Sequence, residues 1–328
     1  MSAVAQPPAP PVKRPSRALV AAAVLVLVLL LVTPAVLVLA LRDDADSVTD
    51  MRIARLPTDV AVLGDTVWVA SGRDDRVVAL EGGRSDRAES HTTGPAPLRV
   101  AVGAGSVWTA NAGDGSVTRL NPLVPGDPGR RIGIQADAID VAVGPDGAWV
   151  TNGQAGTVTR IDAVSNRVLG SPIRTGDFPT ALAIGANHVW VVNSGDGTVA
   201  RVDPRENVVV GRRLPVGRDP QDIAVGFGSV WVANRGDGTL TRLSATDGRP
   251  QGPSIRVGGA PGALAITQDA VLVLDTNTGA VLRVDPKTLA AAEIMRIPGY
   301  PAAIAVGAGA AWVVDSRSGT VTRVTETN

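Results

Sequence analysis

Two histidines, His91 and His188, and five glutamates (81, 89, 206, 293 and 326) are all that the 328-residue chain offers for imidazole or glutamate acid–base work. There is no cysteine. That excludes disulfide scaffolds, thiol nucleophiles, cysteine-ligated zinc and a lipid-modified N-terminal cysteine. The segments Asn111-Ala-Gly-Asp114-Gly, Asn193-Ser-Gly-Asp196-Gly and Asn234-Arg-Gly-Asp237-Gly have the composition of cation loops. Each offers one carboxylate, however, where calcium takes about six to eight oxygens. No metal and no cofactor is expected. Arg235-Gly236-Asp237 stands where its sister segments carry Ser or Ala before Gly-Asp-Gly, so hairpin chemistry accounts for it. The 31 basic and 31 acidic side chains balance. That balance speaks against nucleic acid as a partner, because a phosphate-binding surface is normally basic.

A repeat positions these residues. Tryptophans fall at 68, 108, 149, 190, 231 and 312, with gaps of 40, 41, 41, 41 and 81 residues. The last gap is two periods, and Leu272 holds the vacant place. Each of the seven units reads as four short strands, a to d, with the Trp on strand b. One example runs Ile223-Ala-Val, Val230-Trp-Val-Ala-Asn, Thr239-Leu-Thr-Arg-Leu and Ser254-Ile-Arg-Val-Gly, separated by Gly, Asn, Asp and Pro turns. A period near 40 with four strands per unit is the mark of a β-propeller. The final unit stops after strand c at Val321-Thr-Arg-Val, and the segment from Asp50 to Leu56 reads as its missing strand d. The expected fold is therefore all-β: a seven-bladed propeller of four-stranded blades over 48–328. An N-terminal strand closes the last blade, and no open edge is left between first and last.

Ahead of the repeats, residues 1–17 are Pro-rich and carry Lys13, Arg14 and Arg17, and 18–41 contain no charge. As a helix, those 24 residues would span about 36 Å against a hydrocarbon core of roughly 30 Å. A cleaved signal peptide has a shorter apolar run and a small-x-small cleavage site, and Val38-Leu39-Ala40 is a poor one. The expectation is one transmembrane signal-anchor helix at 18–41, followed by a linker at 42–47. Basic residues before the span, and Asp43, Asp44 and Asp46 after it, place a short N-terminal tail in the cytoplasm and the propeller outside.

The segments Trp231-Val-Ala-Asn-Arg-Gly-Asp-Gly-Thr-Leu-Thr-Arg-Leu and Trp149-Val-Thr-Asn-Gly-Gln-Ala-Gly-Thr-Val-Thr-Arg-Ile-Asp resemble the bacterial YVTN family of β-propeller repeats, with Trp for the family's Tyr. The resemblance recurs in six of the seven units and covers 48–328. It implies the fold, and it implies a choice between extracytoplasmic binding or sensor modules and lyases of the streptogramin type. Those lyases rely on His and Glu near the channel. Here His188 opens a strand b, His91 precedes a strand d, and the glutamates lie by c-to-d connections or at the C-terminal tail. A non-enzymatic binding, scaffold or sensor role toward a protein, peptide or cell-envelope component is therefore expected, with a streptogramin-lyase-like enzyme as the alternative. No catalytic residue is assigned.

Positions that recur in all or six of the seven units read as structural. They include the strand-a alanines (61, 101, 142, 183, 224, 265, 305), the Trp series, and the strand-c arginines (119, 160, 201, 242, 283, 323). The arginine heads are expected to meet carboxylates such as Asp114, Asp196 and Asp237. Leu272 is expected to loosen the region of blades five and six. Ligand contacts belong where the units differ on one face. Before the Pro-equivalent of the d-to-a loops, the series runs Leu56, Ala96, Asp137, Phe178, Asp219, Ala260, Tyr300. Slightly further on it runs Asp59, Arg99, Asp140, Ala181, Asp222, Ala263, Ala303. Phe178, Tyr300, Asp137, Asp219, Asp59, Arg99, Asp140 and Asp222 are the candidate ligand-binding residues of a channel rim, suited to a partly cationic or peptide-like partner.

Overall fold

Strand a of each unit starts at a proline or polar residue and in five of the seven units ends at a glycine, where a tight turn hands the chain to strand b. In the computed structural model, which describes residues 49–134, 137–145 and 147–325, this pattern produces seven antiparallel sheets. Six are built in the order a-b-c-d from one unit each. The seventh comprises Pro301–Gly307, Ala310–Asp315 and Thr320–Val324, completed by Thr49–Arg52. Met51 lies opposite Val321 in that closing pair. The closing strand is shorter than the sequence pattern predicts. It ends at Arg52; the Ile53 and Ala54 N–H groups still donate to the Gly319 carbonyl, and Arg55 and Leu56 belong to the next loop. The strands a touch in sequence around the ring, and the first meets the last. The expected span at 18–41, the tail before it and the linker 42–47 lie outside the described residues. Among the described residues no helix is long and apolar enough to cross a membrane.

Burial is deepest in the middle of each blade, with strands a at the channel partly exposed. Strands b are buried on both faces, as in Ser229–Asn234, and strands c nearly so, because each blade is covered by its neighbours. The outer strands d alternate or are exposed, as in Val168–Arg174, and in blade 4 strand d is broken into Val208–Val209 and Leu214–Pro215. Short, charged, interrupted outer strands suit an edge that must not recruit another chain.

Each Trp packs toward the following blade. Trp108 meets Val141, Val150 and Ile161 of blade 3, and Trp312 meets Val60, Val69 and Leu80 of blade 1. Leu272 does the same work at the seam to blade 7, against Ile304, Val313 and Val324. Its effect therefore falls one seam later than expected. A cavity of about 660 Å³ does lie between blades 5 and 6, but Leu272 does not line it.

The strand-c arginines also differ from the expectation. Their guanidinium groups stand 5.0–5.8 Å from the ring centres of Trp108, Trp149, Trp190, Trp231 and Trp312. Several also donate to a c-to-d turn of the next blade: Arg119 to Asn166 at 2.9 Å and Arg201 to the Thr246 carbonyl at 3.3 Å. A cation over an indole face is attracted by the ring quadrupole, so the pair is one device repeated around the ring. Asp114, Asp196 and Asp237 bind other arginines: Arg131, Arg213 and Arg218. Arg283, which faces Leu272 instead of a Trp, pairs with a carboxylate, Asp269, at 2.5 Å.

Candidate functional site

In a blade with antiparallel strands, the b-to-c turns and d-to-a loops share one end, and the a-to-b and c-to-d turns the other. At the first end, the residue before the Pro-equivalent is gripped through its backbone. The carbonyls of Leu56, Ala96, Phe178, Asp219, Ala260 and Tyr300 each accept the N–H of the first b-to-c turn residue of the same blade. Ser194 and Ser316 add hydroxyl bonds to Phe178 and Tyr300. The backbone is held in this way whatever the side chain, which at Leu56, Phe178 and Tyr300 is exposed and at Ala260 is buried. Leu56, Ala96, Phe178 and Asp219 sit at φ near +50°, which a branched or bulky residue adopts only when its surroundings enforce it. Phe178 is 45% exposed and Tyr300 49%. These two aromatics of the rim series are displayed on the surface.

The other candidates separate into three groups. Asp137 receives the Gln154 N–H at 2.9 Å. Asp219 is bound by Arg235 at 2.7 Å and by Gln221 at 2.6 Å. Asp59, Arg99, Asp140 and Asp222 lie deeper, on the channel wall, where side-chain exposure is 15% for Asp59, 26% for Arg99 and 13% for Asp140. Arg99 reaches Asp59 at 3.7 Å on one side and Asp140 at 3.8 Å on the other. Each aspartate also clamps the next strand a. Asp59 accepts the Val100 N–H, Asp140 that of Leu182 and Asp222 that of Leu264, at 2.7–2.9 Å. The cluster thus ties blades 1 to 2, 3 to 4 and 5 to 6.

Three carboxylates around one guanidinium leave an excess of negative charge in a poorly solvated channel. Burial pushes Asp140 up to about 7, against the pull of Arg99, with Asp59 and Asp222 adding to the rise. Burial likewise pushes Asp222 up to about 6 and raises Asp59, both against Arg99. Burial works against the Arg99 charge, yet Asp59, Asp140 and Asp222 together raise it. Chemically, the cluster is a set of clamps between strands a whose carboxylates are raised by burial.

Tyr300 belongs to a different neighbourhood. The Arg317 guanidinium lies 3.5 Å from its ring centre, and both border a cavity of about 440 Å³ with Arg52, Arg55 and Arg73 at the seam where the ring closes. Sequence reasoning passed over these arginines. Their signal was topological: two stretches at opposite ends of the chain become neighbours only when Thr49–Arg52 completes the last blade.

Neither histidine faces the channel cluster. His91 lies within strand d of blade 1, Ala88–Thr92, not before it, and is buried against Trp68 with ring centres 5.4 Å apart. His188 opens a strand b at the opposite end, its Nδ1 2.9 Å from the Ala186 carbonyl. Among the described residues no group of three or more His, Asp or Glu is placed to hold a metal ion.

No family model matches the chain. No curated protein matches it. Solved structures do. A catalytically inactive His-to-Ala variant of virginiamycin B lyase from Staphylococcus aureus, crystallised with quinupristin, superposes with a TM-score of 0.75. It shares 13% identity, and the match covers 86% of this chain and 100% of the other. A streptogramin B lyase gives 0.70 at 12% identity, covering 85% and 97%. The Cps50 (Swd1) β-propeller domain of Myceliophteria thermophila gives 0.72 at 11%, covering 86% and 100%. At such identities the likeness carries the fold, and the chain shares the seven-bladed β-propeller of the streptogramin B lyases and of WD40-type propellers alike.

Proposed function

We propose that the propeller is a non-enzymatic binding or scaffold module, held outside a cell membrane by the segment 18–41, whose b-to-c and d-to-a face meets a protein or another cell-envelope component. The observation that carries this reading is the mounting of Phe178 and Tyr300. Two large, exposed aromatic side chains stand on backbone positions fixed by hydrogen bonds, on one face of a rigid ring. Aromatic anchors of this kind supply contact area at little entropic cost. The placement of both histidines away from the channel cluster favours binding over a lyase reaction. The related structure was rendered inactive by exchange of a histidine.

Photo-crosslinking in cells tests the reading, with the crosslinker at Tyr300 and a control at Thr288 on the opposite end. A discrete protein adduct from position 300 alone supports it. Equal smears from both positions, or turnover of a streptogramin by the purified protein, overturn it.

A further inference from the structure

The cavity at the seam of blades 7 and 1 is lined by Arg52, Arg55, Arg73, Arg317, Tyr300 and Ser316, and no carboxylate lines it. Elsewhere on this face several arginines are neutralised. Arg218 binds Asp237 at 2.6 Å, Arg235 binds Asp219 at 2.7 Å, and Arg213 binds Asp196 at 2.6 Å. Among the described residues, Arg52, Arg55, Arg73 and Arg317 have no carboxylate within ion-pair distance.

Two acids beside the cavity, Asp74 and Asp315, are tied to backbone N–H groups, although the Arg55 charge also acts on Asp74. Asp74 accepts the Arg55 backbone N–H and the Ser71 hydroxyl, and Asp315 accepts the backbone N–H groups of Tyr300, Arg317 and Ser318. In a chain whose charges balance overall, four cations gathered on one cavity repel one another until something neutralises them. Tyr300 beneath Arg317 orients one guanidinium, and a planar fork of donors matches oxyanions in pairs of hydrogen bonds.

We infer that this cavity binds a small ligand, or the terminal group of a larger one, that carries two or more adjacent oxyanions. Its volume of about 440 Å³ falls in the range of small-molecule sites. The inference rests on the reading of this face as the binding surface and names the chemistry that one part of it takes. Phosphate and carboxylate groups both offer that chemistry, and the test separates them.

The test is calorimetric titration of the full-length protein in detergent with pyrophosphate and, separately, citrate. The variants are Arg73→Gln, Arg317→Gln and the control Arg256→Gln, an outer-strand arginine that lies outside the cavity. The expected result is one site per chain for at least one of the two anions, weakened by salt. Affinity should fall about tenfold or more in Arg73→Gln and Arg317→Gln and stay unchanged in Arg256→Gln. Preference for pyrophosphate identifies a phosphate source, and preference for citrate a carboxylate one. Absence of binding by both anions, or an equal loss in all three variants, overturns the inference. A protein adduct from position 300 with no anion binding leaves the module reading standing and this one refuted; anion binding without an adduct does the reverse.

Discussion

Two sets of arginines separate what this fold repeats from what it varies. The strand-c set recurs every 41 residues or so, stacks on buried tryptophans and donates to the neighbouring blade. The seam set occurs once, is exposed, lines a cavity and has no carboxylate partner among the described residues. The first set spends its hydrogen-bonding and charge inside the molecule, so removing a member should cost stability. The second leaves both facing outward, so removing a member should cost binding and leave the fold untouched. Regularity marks architecture here, and its local failure marks a surface with something left to bind.

The sharpest contrast lies between Trp231 and Tyr300. Trp231 is fully buried in the seam to blade 6 and its Nε1 donates to the Gly226 carbonyl at 3.2 Å. Replacing it by Ala should destabilise the propeller by about 3–5 kcal/mol in chemical denaturation. Tyr300→Ala should move the same midpoint hardly at all. Comparable losses for the two would erase the distinction.

Next comes the buried Asn111, whose amide donates to Ser116 and Thr118 and whose oxygen accepts from Thr109. Asn111→Ala removes three buried hydrogen bonds and takes the acceptor from the Thr109 hydroxyl, while Ser116 and Thr118 keep other partners, and should cost about 1–3 kcal/mol. Its counterpart on the exposed part of the same turn, Asp114, should cost less. Reversal of that order by urea denaturation would mean that the turn, not the buried amide, holds the hairpin.

The channel carboxylates give a pH signature. Asp59, Asp140 and Asp222 are raised in the folded protein, so the native state holds protons that the unfolded chain releases. Their contribution is fully present below the unfolded value of 3.8 and is lost as pH rises through about 6 and 7. The slope is about 1.4 kcal/mol per pH unit for each proton involved. Asp140→Asn removes one such group at the expense of a hydrogen bond. The variant should be less stable than the parent at pH 5 and gain on it steadily toward pH 8. Parallel stability curves would show that Asp140 stays ionised throughout.

The smallest effect expected is at the arginines that open this comparison. Arg242 stacks 5.1 Å from the Trp231 ring centre and donates to Ser229 at 2.9 Å, so Arg242→Gln should cost about 1 kcal/mol.

The ring itself was legible from the tryptophan period, the strand-a alanines and the truncated last unit, since each records a packing requirement met seven times. The closing strand was legible as well, because a missing strand d at one end matched a spare strand at the other. The partners of the strand-c arginines were not. Spacing along the chain placed Asp114 and Asp237 near Arg119 and Arg242, but the antiparallel register puts each Arg across from its Trp and turns it toward the next blade. The rim series was legible as variable, yet sequence could not show that Asp59, Asp140 and Asp222 serve as clamps between strands a while Phe178 and Tyr300 are displayed. The seam arginines escaped because their cavity is assembled from both ends of the chain, which no local pattern joins.

One crossed experiment tests the division between repeated and singular residues most directly: denaturation midpoint and pyrophosphate affinity, measured together for Arg242→Gln and Arg317→Gln in the full-length protein. The predicted result is a lowered midpoint with unchanged affinity for Arg242→Gln, and an unchanged midpoint with affinity reduced about tenfold or more for Arg317→Gln. If both variants shift the midpoint alike, or both leave affinity intact, the two sets of arginines do not differ in role and the account fails.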